Sequence, residues 1–169
     1  QGASVEALNV SRPDDVMAFM AQHRSDAIIS CLASRSGAPR DAEAVDYQAN
    51  LNLLAGANTA RVDHFVLLSA ICVQRPHLAF QRAKLKFEAQ LVASYVDHTI
   101  VRPTAFFKSI SGQVKRVAAG KPFLIFGDGE RTRCKPISDA ALARFIANTL
   151  TDPLARGAVL PIGGPGPAI

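Results

Sequence analysis

Apolar and polar positions follow two rhythms along this chain. Short continuous apolar runs alternate with longer stretches in which apolar residues return every three or four positions. The runs are VEALNV (5–10), DAIISCLA (26–33), HFVLLSAICV (64–73), HTIVRPT (98–104), PFLIF (122–126) and AVLPIGG (158–164), and each has strand length. Between them lie helical patterns. Ser11 and Pro13 give an N-cap and early-helix signal for PDDVMAFMAQH, and further helices are predicted over 41–60, 77–91, about 107–119 and about 138–150. Strand–helix alternation of this kind predicts an α/β chain with a doubly wound parallel sheet and helices on both faces.

HFVLLSAICV is the strongest strand. It is apolar without a break, β-branched and aromatic, as a strand covered on both faces should be. Ligands in such sheets sit beyond the carboxyl ends of the strands. Those ends are Cys31–Ser36, Ser69–Val73 and Arg102–Phe107.

One helix breaks its own pattern. Wound at 3.6 residues per turn, HLAFQRAKLKFEAQL (77–91) puts Phe80, Lys84, Phe87, Leu91 and Tyr95 on one narrow stripe, with an ammonium in the middle of the apolar face. Two readings stand. The lysine stem lies on the core while its charge reaches water at the rim, or the lysine points into the crevice at the strand ends.

Composition narrows the class. A chain of 169 residues, 49% hydrophobic and 20% charged, has the size and make-up of one globular domain with a real core. No run of about 18 apolar residues exists to span a membrane, and QGASVEALNV has neither an initiator Met nor a basic-then-apolar leader pattern. The formal charge of +5 is modest. No zinc spacing and no basic stripe with interleaved aromatics is present, so neither nucleic acid nor a protein metal site is expected. Cys31, Cys72 and Cys134 are odd in number and far apart, which argues against a disulfide framework. Cys31 and Cys72 are expected to be buried small residues in their apolar runs.

A strand ending in Ser69, a helix carrying Lys84 four residues after an aromatic, and a strand ending in Arg102-Pro103 resemble the short-chain dehydrogenase/reductase superfamily, in its atypical NmrA/isoflavone-reductase-like branch. Where the family usually reads Tyr-x-x-x-Lys, this chain reads Phe80-x-x-x-Lys84. The blocks FQRAKLKFE, VRPTAFFKS, GKPFLIFGDGE, CKPISDAALARFIA and LPIGGPGPA are similar to the NADPH-dependent members that reduce the 8-vinyl group of divinyl (proto)chlorophyllide a to ethyl. The resemblance covers most of the chain from Asp26 onward.

It implies a Rossmann-like fold, with residues 1–105 as part of an NAD(P)-binding domain and 106–169 as a substrate-binding part interleaved with late Rossmann elements. The family holds the pyrophosphate on a Gly-rich turn after its first strand. None of the eleven glycines forms G-x-x-G-x-x-G. A fragment is therefore expected, starting near the third strand and lacking roughly 60–80 residues of N-terminal βαβ unit, with its end also short of the family's.

Site roles follow from the same resemblance. Lys84 is the expected catalytic residue and, with Leu32, Ala33, Ser34, Pro103 and Thr104, an NADPH contact. Ser69, Phe80, Arg102, Phe106 and Phe107 are the expected substrate contacts. Strand-end capping by Ser69 and core packing by Phe106 and Phe107 stand beside those roles as alternatives. Tyr47 and Asn52 either support the site by hydrogen bonds or pack.

The missing phenol fits the implied chemistry. Ketone reduction develops an alkoxide and benefits from a tyrosine donor. Hydride delivery to a vinyl group leaves a carbanion spread over the macrocycle, and protonation occurs at carbon. Eight basic residues and only Asp128 and Glu130 as acids lie between Arg102 and Lys135, an excess suited to the pigment's propionate. Magnesium belongs to the pigment. The resemblance places the protein in the cytoplasm of a phototrophic bacterium or in a plastid, with peripheral membrane contact compatible with so hydrophobic a substrate. The alternative function is a non-catalytic NmrA-like NADP(H)-sensing or assembly protein.

Overall fold

The strand that reads as buried on both faces is the one around which the chain is built. In the computed structural model, which describes residues 2–124 and 133–168, β2 (His64–Leu68) has β1 (Ala27–Ser30) on one side and β3 (Asp97–Pro103) on the other. β4 (Ala158–Ile162) follows β3, giving the order β1-β2-β3-β4 with every pair parallel. The register runs Phe65 against Ile28 and His98, and Ile100 against Val159. This is the parallel, doubly wound sheet that the alternation predicts.

Among the described residues six α-helices serve it: α1 (Pro13–Gln22), α2 (Pro39–Ala42), α3 (Asn50–Ala60), α4 (Ala79–Val92), α5 (Phe107–Ala118) and α6 (Asp139–Thr149). A π-helical stretch, Glu43–Ala49, joins α2 to α3 with helical backbone angles at both junctions. The period of two along the strands divides the core. Phe65, Leu67 and Ile100 point to one face, where they meet Val16, Leu53, Ala57, Phe87 and Leu91 of α1, α3 and α4. Val66 and Val101 point to the other, against Leu142 and Ile146 of α6. Each of the Val, Leu, Ile and Phe side chains contributes about 1.5–3 kcal/mol by leaving water.

Two close approaches need glycine. A Cβ on Gly164 would stand 2.0 Å from the Pro136 carbonyl oxygen, so only a bare backbone can bring the segment after β4 onto residues 135–137. A Cβ on Gly56 would crowd Val16 Cγ1 and Met20 Cγ at 3.0 and 3.1 Å, so side chains of α1 lie directly on the backbone of α3.

Four expectations change. VEALNV is no strand. Its Leu8 and Val10 pack on the core, and Asn52 Nδ2 donates to the Val10 carbonyl at 2.9 Å, but among the described residues no strand pairs with it. PFLIF lies partly outside the described residues, and 122–124 carry no strand. Tyr95 falls beyond the end of α4 and is fully exposed. Cys31 and Cys72 are exposed, because β1 and β2 end before reaching them and Cys72 sits in a turn at φ 66°.

Candidate active site

α4 begins where Gln81 turns its side-chain oxygen back to accept from the backbone N–H groups of His77 and Leu78, both at 2.9 Å. That start sets which residues face inward: Ala83, Lys84, Phe87, Glu88 and Leu91 are buried. Lys84 does not snorkel. It is 6% exposed, and its ammonium lies 3.1 Å from Asp46 Oδ1, 3.1 Å from the Leu32 carbonyl and 3.4 Å from that of Leu68. A buried ammonium is tolerated only when paired and hydrogen-bonded. One carboxylate and two strand-end carbonyls meet that demand and staple the ends of β1 and β2 to α4.

Asp46 reaches Lys84 from the π-helical stretch, a local widening of the helix that recurs at functional sites. Its Oδ2 accepts from the Ser34 N–H at 3.3 Å, while Oδ1 has the lysine charge beside it but no aligned donor. Asn50 holds the stretch in place. Its Nδ2 donates to the Val45 and Asp46 carbonyls, and its Oδ1 accepts from Ser30 Oγ of β1 at 2.5 Å.

These groups open onto a cavity of about 500 Å³ beyond the carboxyl ends of β1 and β2. Its walls are the Cys31–Gly37 loop, Leu68–Ala70, Phe80 and Phe106, with Asp46 and Lys84 at the base. A second, mainly apolar cavity of about 680 Å³ adjoins it, sharing Cys31, Leu68 and Phe106 and running under α6. Cys31 is exposed at its surface side, and the partial desolvation it meets beside the cavity raises its thiol pKa, an effect that the nearby Lys84 charge partly offsets.

Of the residues singled out in the sequence, Leu32, Ala33, Ser34, Ser69, Phe80, Lys84 and Phe106 meet around the first cavity. Others stand apart. Arg102 donates through both Nε and Nη2 to the Glu88 carboxylate, and the same carboxylate accepts from Ser69 Oγ at 2.5 Å. Pro103 is buried in β3, Thr104 Oγ1 donates to the Lys135 carbonyl, and Phe107 is exposed. Tyr47 packs beneath the Lys86 ammonium, 3.6 Å from its ring centre, and Asn52 ties down the N-terminal segment. Sequence reasoning missed Asp46, Asn50 and Glu88. Only Glu88 left a signal: it lies four residues after Lys84, on the same face of the helix.

The cavity's position, the parallel sheet and the lysine at its base define a Rossmann-like dinucleotide-binding domain. A sequence profile described as NAD(P)H-binding matches residues 1–153, and the chain belongs to that family. It is 53% identical, over 150 residues, to a divinyl chlorophyllide a 8-vinyl-reductase, chloroplastic, of Arabidopsis thaliana, a match spanning 85% of this chain and 36% of that one. The Zea mays protein of the same description is 49% identical over 173 residues, spanning 99% of this chain and 43% of its own. The chain thus spans less than half the length of these curated relatives. Among solved structures, a dTDP-glucose 4,6-dehydratase (DesIV double mutant) of Streptomyces venezuelae with NAD and DAU bound superposes with a TM-score of 0.78 at 20% identity, over 95% of this chain and 58% of that one. That likeness concerns the fold.

Proposed function

We propose that this chain is part of an NADPH-dependent reductase that converts the 8-vinyl group of divinyl (proto)chlorophyllide a to ethyl. The observation that carries the reading is a strand-end cavity with a paired cation and no phenol. Lys84 lies at its base and Phe80 in its wall, while both tyrosines of the chain, Tyr47 and Tyr95, lie elsewhere. Reduction of a C=C bond makes no oxyanion, so a tyrosine donor is not required. The identity to the plant reductases supports the same substrate.

The residues present suit a reduced nicotinamide dinucleotide. The Leu32–Gly37 loop offers backbone groups and the Arg35 cation, and Asp46 Oδ1 has no aligned donor of its own. NADPH, when bound, supplies the hydride. Lys84 holds a positive charge at the base of the cavity, Asp46 keeps that ammonium in place, and Phe80 with Phe106 gives flat apolar walls that exclude water. In this reading residues 1–105 belong to the dinucleotide-binding domain and 106–169 carry the substrate-binding part. Peripheral contact with a membrane surface belongs to it too: α5 shows exposed Val114 and Val117 beside Lys115 and Arg116, and no described helix is long and apolar enough to cross a membrane. A plastid or the cytoplasm of a phototrophic bacterium is the setting that this substrate requires.

The test is to incubate the full-length protein with NADPH and divinyl chlorophyllide a and separate the pigments by chromatography. Monovinyl product is the expected result, and Lys84→Ala should abolish it. Tight NADPH binding with no product from any divinyl pigment would overturn the reading in favour of a sensing or assembly protein.

A further inference from the structure

We infer that Glu88 is a positioning residue that turns the Ser69 hydroxyl into a hydrogen-bond acceptor facing the cavity, so that the ligand group seated against it is an N–H or O–H donor. The inference rests on the proposed function of the cavity but concerns a residue outside its walls. Glu88 is 3% exposed, and both of its carboxylate oxygens are engaged by the Arg102 guanidinium. A guanidinium is always charged, and a carboxylate bound to it in this forked way is ionised and accepts only. Ser69 is 5% exposed and lines the cavity.

The one proton of the Ser69 hydroxyl goes to Glu88 Oε1 at 2.5 Å. What remains toward the cavity is lone pairs. Geometry holds this polarity from both sides: the Ser69 N–H donates to the Val101 carbonyl of β3 at 2.8 Å, so the serine backbone is clamped, and Glu88 sits one helical turn after Lys84 on α4. The two charged residues of the helix divide the work. Lys84 presents positive charge to the cavity, and Glu88, from behind, sets the direction of the only hydroxyl that β2's end places there. Arg102, whose guanidinium is committed to Glu88, acts through this pair and not by touching substrate.

The test is a double-mutant cycle of Ser69→Ala and Glu88→Leu in the full-length protein, with two readouts. One is the Kd for NADPH alone; the other is kcat/KM for divinyl chlorophyllide a at saturating NADPH. Each single variant should lose about tenfold in the same readout, the scale of one hydrogen bond to a fixed acceptor, and the double variant should lose no more than either. A loss in Kd assigns the donor to the cofactor; a loss confined to kcat/KM assigns it to the pigment or to a water carried with it. Additive losses, or a Glu88→Leu variant with both readouts intact, would overturn the inference, because a merely structural glutamate leaves the effect of Ser69→Ala untouched.

If Glu88→Leu fails to fold with Arg102 unpaired, the cycle is run in Glu88→Leu/Arg102→Met. The unliganded protein supplies an independent readout, a slowly exchanging downfield hydroxyl proton resonance absent in Ser69→Ala and lost in the Glu88 variant. Wild-type protein that neither binds NADPH nor reduces pigment defeats the proposed function alone. The resonance then decides: its presence supports the polarity of Ser69, and its absence overturns it.

Discussion

The two ends of the same sheet bury polar groups by opposite means. At the carboxyl end the fold encloses full charges in pairs, Lys84 with Asp46 and Arg102 with Glu88, directly behind a cavity. At the amino end it encloses a neutral group. His64 is 1% exposed, its Nε2 lies 2.9 Å from Thr99 Oγ1, and Thr99 gives its own proton to the Ala155 carbonyl at 2.7 Å. Nε2 is therefore the protonated nitrogen, and Nδ1 is left buried without a partner. Polar burial alone marks no site. A buried ion pair that lines a cavity, with a second pair behind it on the same helix, does.

Breaking the charged end should have the largest effect. Lys84→Ala strips Asp46 of its counter-ion in a nearly dry setting, so besides abolishing reduction it should lower stability by about 3–5 kcal/mol, measured by urea unfolding. A loss under about 1 kcal/mol would mean that water reaches the pair. Removing both charges sharpens the point. Lys84→Met/Asp46→Asn should recover most of that stability while reduction stays absent, separating what the pair does for the fold from what it does for the chemistry.

The neutral end answers to pH instead. Burial, with the Arg156 and His98 charges and against the opposing pull of Asp97, lowers the His64 pKa below its ordinary 6.5. The unfolded chain binds that proton at higher pH than the folded one, so stability is full above about pH 6.5 and falls as pH drops through the folded value. His64→Gln should flatten this slope in thermal melts between pH 7 and 5, with NADPH affinity at pH 7.5 unchanged. The smallest effect belongs to a third pair on α4. Lys86 reaches Glu43 at 2.7 Å, but both are about half exposed, and solvent screens them. Glu43→Gln should leave the thermal midpoint essentially where it is.

The comparison also separates what was legible in the chain from what was not. Local pattern alone marked residues 64–73 as a strand covered on both faces and put Lys84 on the apolar stripe of α4, because these depend on residues within a few positions of one another. The Cys31–Ser36 and Ser69–Val73 strand ends were legible for the same reason. VEALNV shows the limit: its local pattern suits a strand, but a strand exists only with a partner, and these residues have a core to pack on and, among the described residues, no paired neighbour. The burial of Lys84 belonged to the tertiary structure alone. Its partner is 38 positions away, on a π-helical stretch that no local rule announces. Glu88, Ser69 and Arg102 likewise come from a helix and the ends of two strands. Sequence determined the inward face within a regular element such as α4, through that element's own geometry, and lost it past the element ends, where Tyr95, Cys31 and Cys72 are exposed. Tertiary structure decided what each inward charge meets, because a charge taken out of water is held only by groups that the whole fold brings to it.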